Sequence, residues 1–341
     1  MLNIDNQPQI IQRLYTLIYK KTIPHAFLFG GIRGIGKYNV AKTFAMAINC
    51  FAPKPDDCGD ISIDLNKYIE TYPCGQCSSC LTSISGNHPD IISIHPEGTS
   101  IKIEQIRGVT ETISRRPYSA KMRVVVINDC ETMNVHASNA LLKILEEPPD
   151  HTIFILITTQ VNTLLPTVLS RCLHMAFMPI PYKQIAEKIL TLLPNKATAS
   201  DDALILSELA NGSLEKGIEL SNCQGMLDKR KRLIHDVLNL HRKPIGFILA
   251  FATTLCEEKQ FLEDAFHIIR SCFRDMIIYK FAKNHIINKD LKDVIEHSGS
   301  IYTIQSLFAK LNAIHQAEKQ LKSNANIKLT LESLCINLAI L

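Results

Sequence analysis

The sequence predicts an α/β layered domain followed by an all-helical remainder. Three observations predict it. Continuous β-branched runs alternate with helical patterns through the first half, a glycine-rich turn joins a short apolar run to a helix, and strand signals fade from about Pro179 onward. Strands that alternate with helices pack as a parallel sheet with both faces covered.

"HAFLFG" (His25–Gly30) is a short apolar run ending in glycine. Lys37 to Cys50 continues as a helix, with Val40, Ala41, Phe44, Ala45 and Ile48 on one face. A further apolar stretch, "DIISIHPE", follows the turn-like "GNHP". Ile103, Ile106, Thr110 and Ile113 then space a helix that stops at Pro117, because the residue before a proline is pushed away from helical geometry. "RVVVIN" (Arg123–Asn128) and "TIFILIT" (Thr152–Thr158) read as strands buried on both faces, and "NALLKILEE" between them as a helix ended by Pro148 and Pro149. In the second half, "IYTIQSLFAKLNAIHQAEKQL" places Ile304, Leu307, Phe308, Leu311 and Ile314 along one helical stripe.

At 341 residues the chain has room for two or three domains, and an apolar share of 46% lets each bury a core. A net charge of +4 is too weak to indicate nucleic-acid binding by itself. The first residues lack the basic start and apolar block of a secretory signal, and no run of about 18 uncharged apolar residues occurs. The 11 cysteines are an odd number spread along the chain. They fit a reducing cytoplasm, with thiols and a metal, better than a disulfide framework.

"GGIRGIGKYN" (Gly30–Asn39) carries a phosphate-cradling pattern that breaks at its last position. Gly31, Gly36 and Lys37 fit G-x-x-x-x-G-K-[ST], with Gly34 between them, whereas Tyr38 stands where a small hydroxyl holds magnesium. Backbone N–H groups and a helix N-terminus make such a turn an anion site. Hydrolysis also needs an acidic residue after a buried strand. Here that position is Asn128–Asp129, in which Asn128 is neutral and Asp129 is shorter than a glutamate. Both losses argue against useful ATP hydrolysis. Binding of ATP or ADP, with magnesium only if nucleotide binds, stays open because Lys37 and the glycines survive.

"PCGQCSSC" sets Cys74, Cys77 and Cys80 at C-x-x-C-x-x-C spacing, which places thiolates around one tetrahedral ion. A fourth ligand is needed. Cys50, at the end of the phosphate-loop helix, is favoured over Cys58, which sits in a Pro- and Asp-rich insertion. Four thiolates would leave no open position, so bound zinc is structural; a set of free thiols is the alternative. Cys130, Cys172, Cys223, Cys256, Cys272 and Cys335 read as small buried hydrophobes.

Several of these motifs occur together, in order: "HAFLFGGIRGIGK", the cysteine finger, "NHPDIISIHPEG", "IKIEQIR", "LLKILEEPP" and "LPTVLSRC". Over about residues 5–220 the chain resembles the bacterial clamp-loader group of AAA+ proteins, subunits of DNA polymerase III. The resemblance implies a RecA-like parallel sheet with an inserted zinc finger at about 50–80 (residues 1–179), a small helical lid (180–222) and an all-α collar (223–341). The family's tau/gamma ATPases carry an intact loop, an Asp-Glu pair and a "GSxRDAL"-like segment whose arginine touches the γ-phosphate. Here that segment is "NGSLEKGIEL", with Glu215 at the arginine position and Lys216 beside it. With three nucleotide-handling positions altered and no long extension, the chain resembles the non-hydrolysing member of the ring more than a short tau/gamma-type ATPase.

Ser170-Arg171-Cys172 matches the family's "SRC" motif, and the resemblance implies that Arg171 reaches into a neighbouring subunit's ATP. An arginine supplied in trans stabilises charge on the transferring phosphoryl group. Thr158 and Thr159 lie where the family senses γ-phosphate, and here read as residual or structural. The implied partners are tau/gamma and delta subunits in a hetero-oligomeric ring and, through it, the sliding clamp and primer-template DNA, with no membrane. Arg115, Arg116, Lys121 and Arg123 either line a DNA path or form a solvated face, and no DNA contact is assigned to them.

Overall fold

A computed structural model of the chain describes residues 7–52, 69, 73–192, 200–223, 225–283, 286, 288–323 and 325–340. Among them the residues fall into two compact units, Met1–Ile185 with Gly212–Lys216, and Ala186–Asn211 with Gly217–Leu341.

The first unit is built on five parallel strands, β1 (Ala26–Gly30), β2 (Ile91–Ile94), β3 (Arg123–Ile127), β4 (Thr152–Thr158) and β5 (Leu173–Ala176), in the order β2-β3-β4-β1-β5. Alternate residues of the central strands feed opposite cores. Phe27, Phe29, Val124, Val126, Ile153 and Ile155 pack on one face with helices Pro8–Tyr19 and Lys37–Asn49. Leu28, Val125, Ile127, Phe154 and Leu156 pack on the other with helices Ile103–Ile113 and Val135–Glu146. This two-sided burial is why β1, β3 and β4 read as unbroken apolar runs. β5 was not anticipated as a strand. It is four residues long at the sheet edge, with only Met175 buried, and offers too little pattern to recognise.

The register brings the chemically marked positions to one edge. Gly30 pairs with Thr158, and Ile127, which precedes Asn128, pairs with Leu156. Carboxyl ends of parallel strands are where such sheets form sites.

Arg123 neither lines a DNA path nor lies on a solvated face. It is 4% exposed and donates to Asp90 Oδ1 at 3.2 Å and to the carbonyls of Thr112, Arg115 and Arg116. Asp90, fully buried, accepts in addition from the N–H groups of Tyr118, Ser119 and Ala120. Burial alone would raise its pKa, yet these N–H groups and Arg123 hold the carboxyl below its ordinary range. Its neighbour His88, also buried, bonds Ser79 Oγ at 3.2 Å and accepts the Asp90 N–H at 3.1 Å. The "NHPD" turn thus ties the cysteine finger to the segment that precedes β3.

The second unit is helical among its described residues, with Met226–Asn239, Ile245–Glu257, Lys259–Phe281, Lys292–Ile301, Ile304–Lys322 and Ile327–Ile340 as its main elements. The predicted stripe on Ile304–Lys322 is only half observed. Leu307 and Ile314 are buried, Ile304 and Phe308 are exposed, and Lys310 and Ala317 complete the inward face. A lysine fits there because its ammonium meets the carbonyl of Leu338, near the end of the last helix, and lies over the rings of Tyr302 and Phe273. Cys223 is exposed and Cys172 and Cys256 are half-buried, so only Cys130, Cys272 and Cys335 of the remaining thiols are buried as expected.

Two stability predictions follow from these buried charges. Asp90→Ala leaves the Arg123 charge buried without its partner and costs about 3–5 kcal/mol, read from the denaturant midpoint of the full chain. Desolvation pushes Lys310 down from 10.5 to about 8. Between these values the unfolded chain binds a proton that the folded chain does not, so stability from this residue rises with pH across that window. Lys310→Met flattens that rise in a series of unfolding curves from pH 7 to 10.

Candidate functional site

The glycine-rich turn joins β1 to helix Lys37–Asn49, as the sequence predicts. Gly36 caps that helix with φ 92°, a left-handed conformation that glycine adopts without strain. The turn is closed by its own chain. Lys37 is 6% exposed, and its Nζ donates to the carbonyls of Gly31 and Ile32, each at 2.6 Å. The segment carrying Ser213 and Glu215 lies against Gly34, and the Glu215 N–H donates to the Gly34 carbonyl at 3.2 Å. A Cβ at Gly34, where φ is +74°, would fall 2.2 Å from Ser213 Oγ, 2.9 Å from Glu215 Cβ and 3.1 Å from the Glu215 carboxylate. The close approach of the chain, together with the positive φ, calls for a glycine at this position.

Charge around the turn follows the same pattern. Burial lowers the pKa of Lys37, and the nearby carboxylates of Glu131, Asp129 and Glu215 oppose that shift. Arg33 adds to the lowering, so the charge near Lys37 is mixed in sign. Tyr38 turns away to β2, with its hydroxyl 3.1 Å from Ser93 Oγ and its ring beside His95. Asn128 is 8% exposed and its Nδ2 has no hydrogen-bond partner. Asp129 sits at φ 47° at the start of a short 3₁₀ turn.

Glu131 is the residue that the sequence reading missed. Its Oε1 accepts from Thr159 N–H at 2.9 Å and Thr159 Oγ1 at 2.5 Å, while its Oε2 is buried without a partner. Burial would raise its pKa, but the Thr159 bonds hold the carboxyl below the ordinary range. Thr158 Oγ1 accepts the Gln160 N–H at 3.0 Å. Both threonines are therefore bound within the chain. The available signal was an acidic residue two places past Asp129, which a search fixed on the Asn128–Asp129 pair passes over.

The four-cysteine cluster is assembled as favoured. The Sγ atoms of Cys50, Cys74, Cys77 and Cys80 lie within 4.8 Å of one another. Thiolates around one zinc ion stand about 3.8 Å apart, given Zn–S bonds of about 2.3 Å. Cys58 lies outside the described residues. Cys77 N–H points to Cys74 Sγ at 3.4 Å and Cys80 N–H to Cys77 Sγ at 3.5 Å, around a turn at Gly75 with φ +70°. Burial would raise the Cys77 thiol, yet N–H groups of Phe51 and Cys80 bring it down to about 6. This group could hold a structural metal.

Arg171 lies on the surface. Its Nη2 is 2.9 Å from Glu146 Oε1, and its Nη1 donates to the Thr167 carbonyl at 3.0 Å and to Ser170 Oγ at 3.3 Å.

Residues 6–181 match the family described as "DNA polymerase III, delta subunit", and residues 224–339 match "DNA polymerase III, delta subunit, C terminal". The chain belongs to this DNA polymerase III delta-subunit family. Among curated proteins it is 29% identical to DNA polymerase III subunit delta' of Bacillus subtilis (strain 168), over 97% of this chain and 96% of that protein. It is 25% identical to DNA polymerase III subunit tau of the same organism, over 94% of this chain but 58% of the relative. With DNA polymerase III subunit tau of Escherichia coli (strain K12) it shares 30% identity over 64% of this chain and 32% of that protein. The chain therefore spans about a third to just over half of these two tau proteins. Among solved structures, a DNA polymerase III gamma subunit-related protein from Thermotoga maritima superposes with a TM-score of 0.41 at 17% identity, covering 96% of this chain and 98% of that one. No helix among the described residues is long and apolar enough to cross a membrane.

If the group holds zinc, metal analysis of the purified chain is expected to give one zinc per molecule. Cys77→Ser lowers zinc content to below about half and reduces thermal stability by several degrees, since losing a structural metal removes folding free energy.

Proposed function

We propose that the chain is a delta-prime-type subunit of the DNA polymerase III clamp loader, which helps to load the sliding clamp on primed DNA during replication. It works in the cytoplasm beside tau/gamma and delta subunits in a hetero-oligomeric ring. Its role is that of a rigid partner with no turnover of its own. The observation that carries this reading is the closure of the phosphate loop by Lys37 and the Glu215 segment, beside an Arg171 that stands outside it.

In this reading residues 1–179 form the AAA+ module, 180–222 the lid and 223–341 the collar that holds the ring together. The C-terminal family match over 224–339 supports the last boundary. Zinc on Cys50, Cys74, Cys77 and Cys80 shapes the AAA+ module. Gly31, Gly34, Gly36, Lys37 and Tyr38 are retained as fold, and Asn128 and Asp129 no longer hold magnesium. Arg171 reaches an ATP bound to the adjacent subunit, where an arginine in trans neutralises charge on the departing phosphoryl group.

Arg171→Ala leaves the chain folded and assembled, and it slows hydrolysis at the one neighbouring site that it faces. Arginine fingers contribute about 10³–10⁵ in rate at their site, so DNA-stimulated ATPase of the whole complex falls severalfold. Wild-type ATPase in that complex removes Arg171 from the reading. Turnover by the isolated chain that Lys37→Ala abolishes establishes a short tau/gamma-type ATPase instead.

A further inference from the structure

The "LEEPP" motif at residues 145–149 is one of the marks of this chain, and nothing so far gives it a task. Glu146 is the last residue of helix Val135–Glu146. A carboxylate there faces the negative end of the helix dipole, which disfavours it. Helix formation offers no reason for this residue. Its partner does, because Glu146 Oε1 lies 2.9 Å from Arg171 Nη2.

We infer that Glu146 is a positioning residue for Arg171, and that "LEEPP" and "LPTVLSRC" form one device for aiming a guanidinium. The inference rests on the arginine-finger reading above. A guanidinium has five N–H donors in a planar fork. Nη1 donates to the Thr167 carbonyl at 3.0 Å and to Ser170 Oγ at 3.3 Å, and Nη2 is held in an ion pair with Glu146 Oε1 at 2.9 Å. Neither Nη1 bond uses the Nε–H, and Nε and Nη2 share the edge of the fork away from Thr167 and Ser170. An arginine edge of this kind, with parallel N–H donors, is the arrangement that matches a phosphate.

Glu146 and Arg171 are both partly exposed, with side-chain exposures of 51% and 34%. An exposed pair of this kind adds little to stability. Its effect is on direction, since a free arginine samples many rotamers and a held one presents a single edge. Glu146 touches no reacting atom, and its effect passes through Arg171 alone.

The test is DNA-stimulated ATPase of the assembled complex carrying Glu146→Ala, Glu146→Gln, Arg171→Ala or the Glu146→Ala/Arg171→Ala pair. Misplacing a reacting group can cost up to about 100-fold, so Glu146→Ala lowers kcat by about 3-fold or more, to no less than the Arg171→Ala level, with KM for ATP little changed. Glu146→Gln recovers most of the rate, because its amide oxygen takes the place of Oε1 beside Nη2. The double variant is no slower than Arg171→Ala, since residues that act as one unit are not additive. Wild-type kcat for Glu146→Ala beside a defective Arg171→Ala overturns the inference and leaves the arginine-finger reading intact. An additive double variant overturns it as well, as does failure of Glu146→Gln to recover rate. Wild-type activity of Arg171→Ala overturns the arginine-finger reading itself.

Discussion

The ammonium of Lys37 is the point on which the account turns. In a working phosphate loop this group is held in reserve for an incoming polyphosphate. Here it is buried against two carbonyls of its own loop, with carboxylates of Glu131, Asp129 and Glu215 around it. The segment bearing Ser213 and Glu215 then occupies the space beside Gly34. In the proposed reading a nucleotide would have to break the two Nζ bonds and approach beside the Glu215 carboxylate. Both cost free energy, and Tyr38, whose hydroxyl meets Ser93, and neutral Asn128 are poor residues to offset it through magnesium.

The fold does not depend on an occupied phosphate loop, because other forces hold it. β1, β3 and β4 are buried on both faces by apolar side chains, and the helix that follows the loop packs Val40, Ala41 and Phe44 into the same core. The glycines of the loop answer to backbone geometry, Gly36 at a helix start and Gly34 at a close approach. A phosphate-loop sequence can therefore serve as a packing solution independently of any nucleotide. The same sheet register that would serve a nucleotide at its carboxyl edge now anchors Glu131 through Thr159. Arg171 and Glu146 form a partly exposed ion pair, which leaves the guanidinium open to a partner in the proposed role.

Much of this was legible in the sequence. The strands "RVVVIN" and "TIFILIT" announce themselves because two-sided burial demands unbroken apolar residues, and the C-x-x-C-x-x-C spacing fixes a ligand cluster whatever surrounds it. Glu215 could be placed against the loop because "NGSLEKGIEL" could be matched to a segment of known task. What was not legible depends on contacts between distant residues. Arg123 looked like a surface charge until Asp90, 33 positions away, closed over it. Lys310 broke an apolar stripe because a carbonyl at Leu338 was waiting for it. Glu131 and Glu146 have no local signature, since each is defined by a partner 28 or 25 residues further on.

The most direct measurement is equilibrium binding of a labelled ATP analogue to the isolated chain, with and without magnesium. The account predicts no saturable binding in either condition at concentrations where an intact phosphate loop is filled. Tight, magnesium-dependent binding would contradict it, because it would require Lys37 to leave its carbonyls and Glu215 to yield its place beside Gly34.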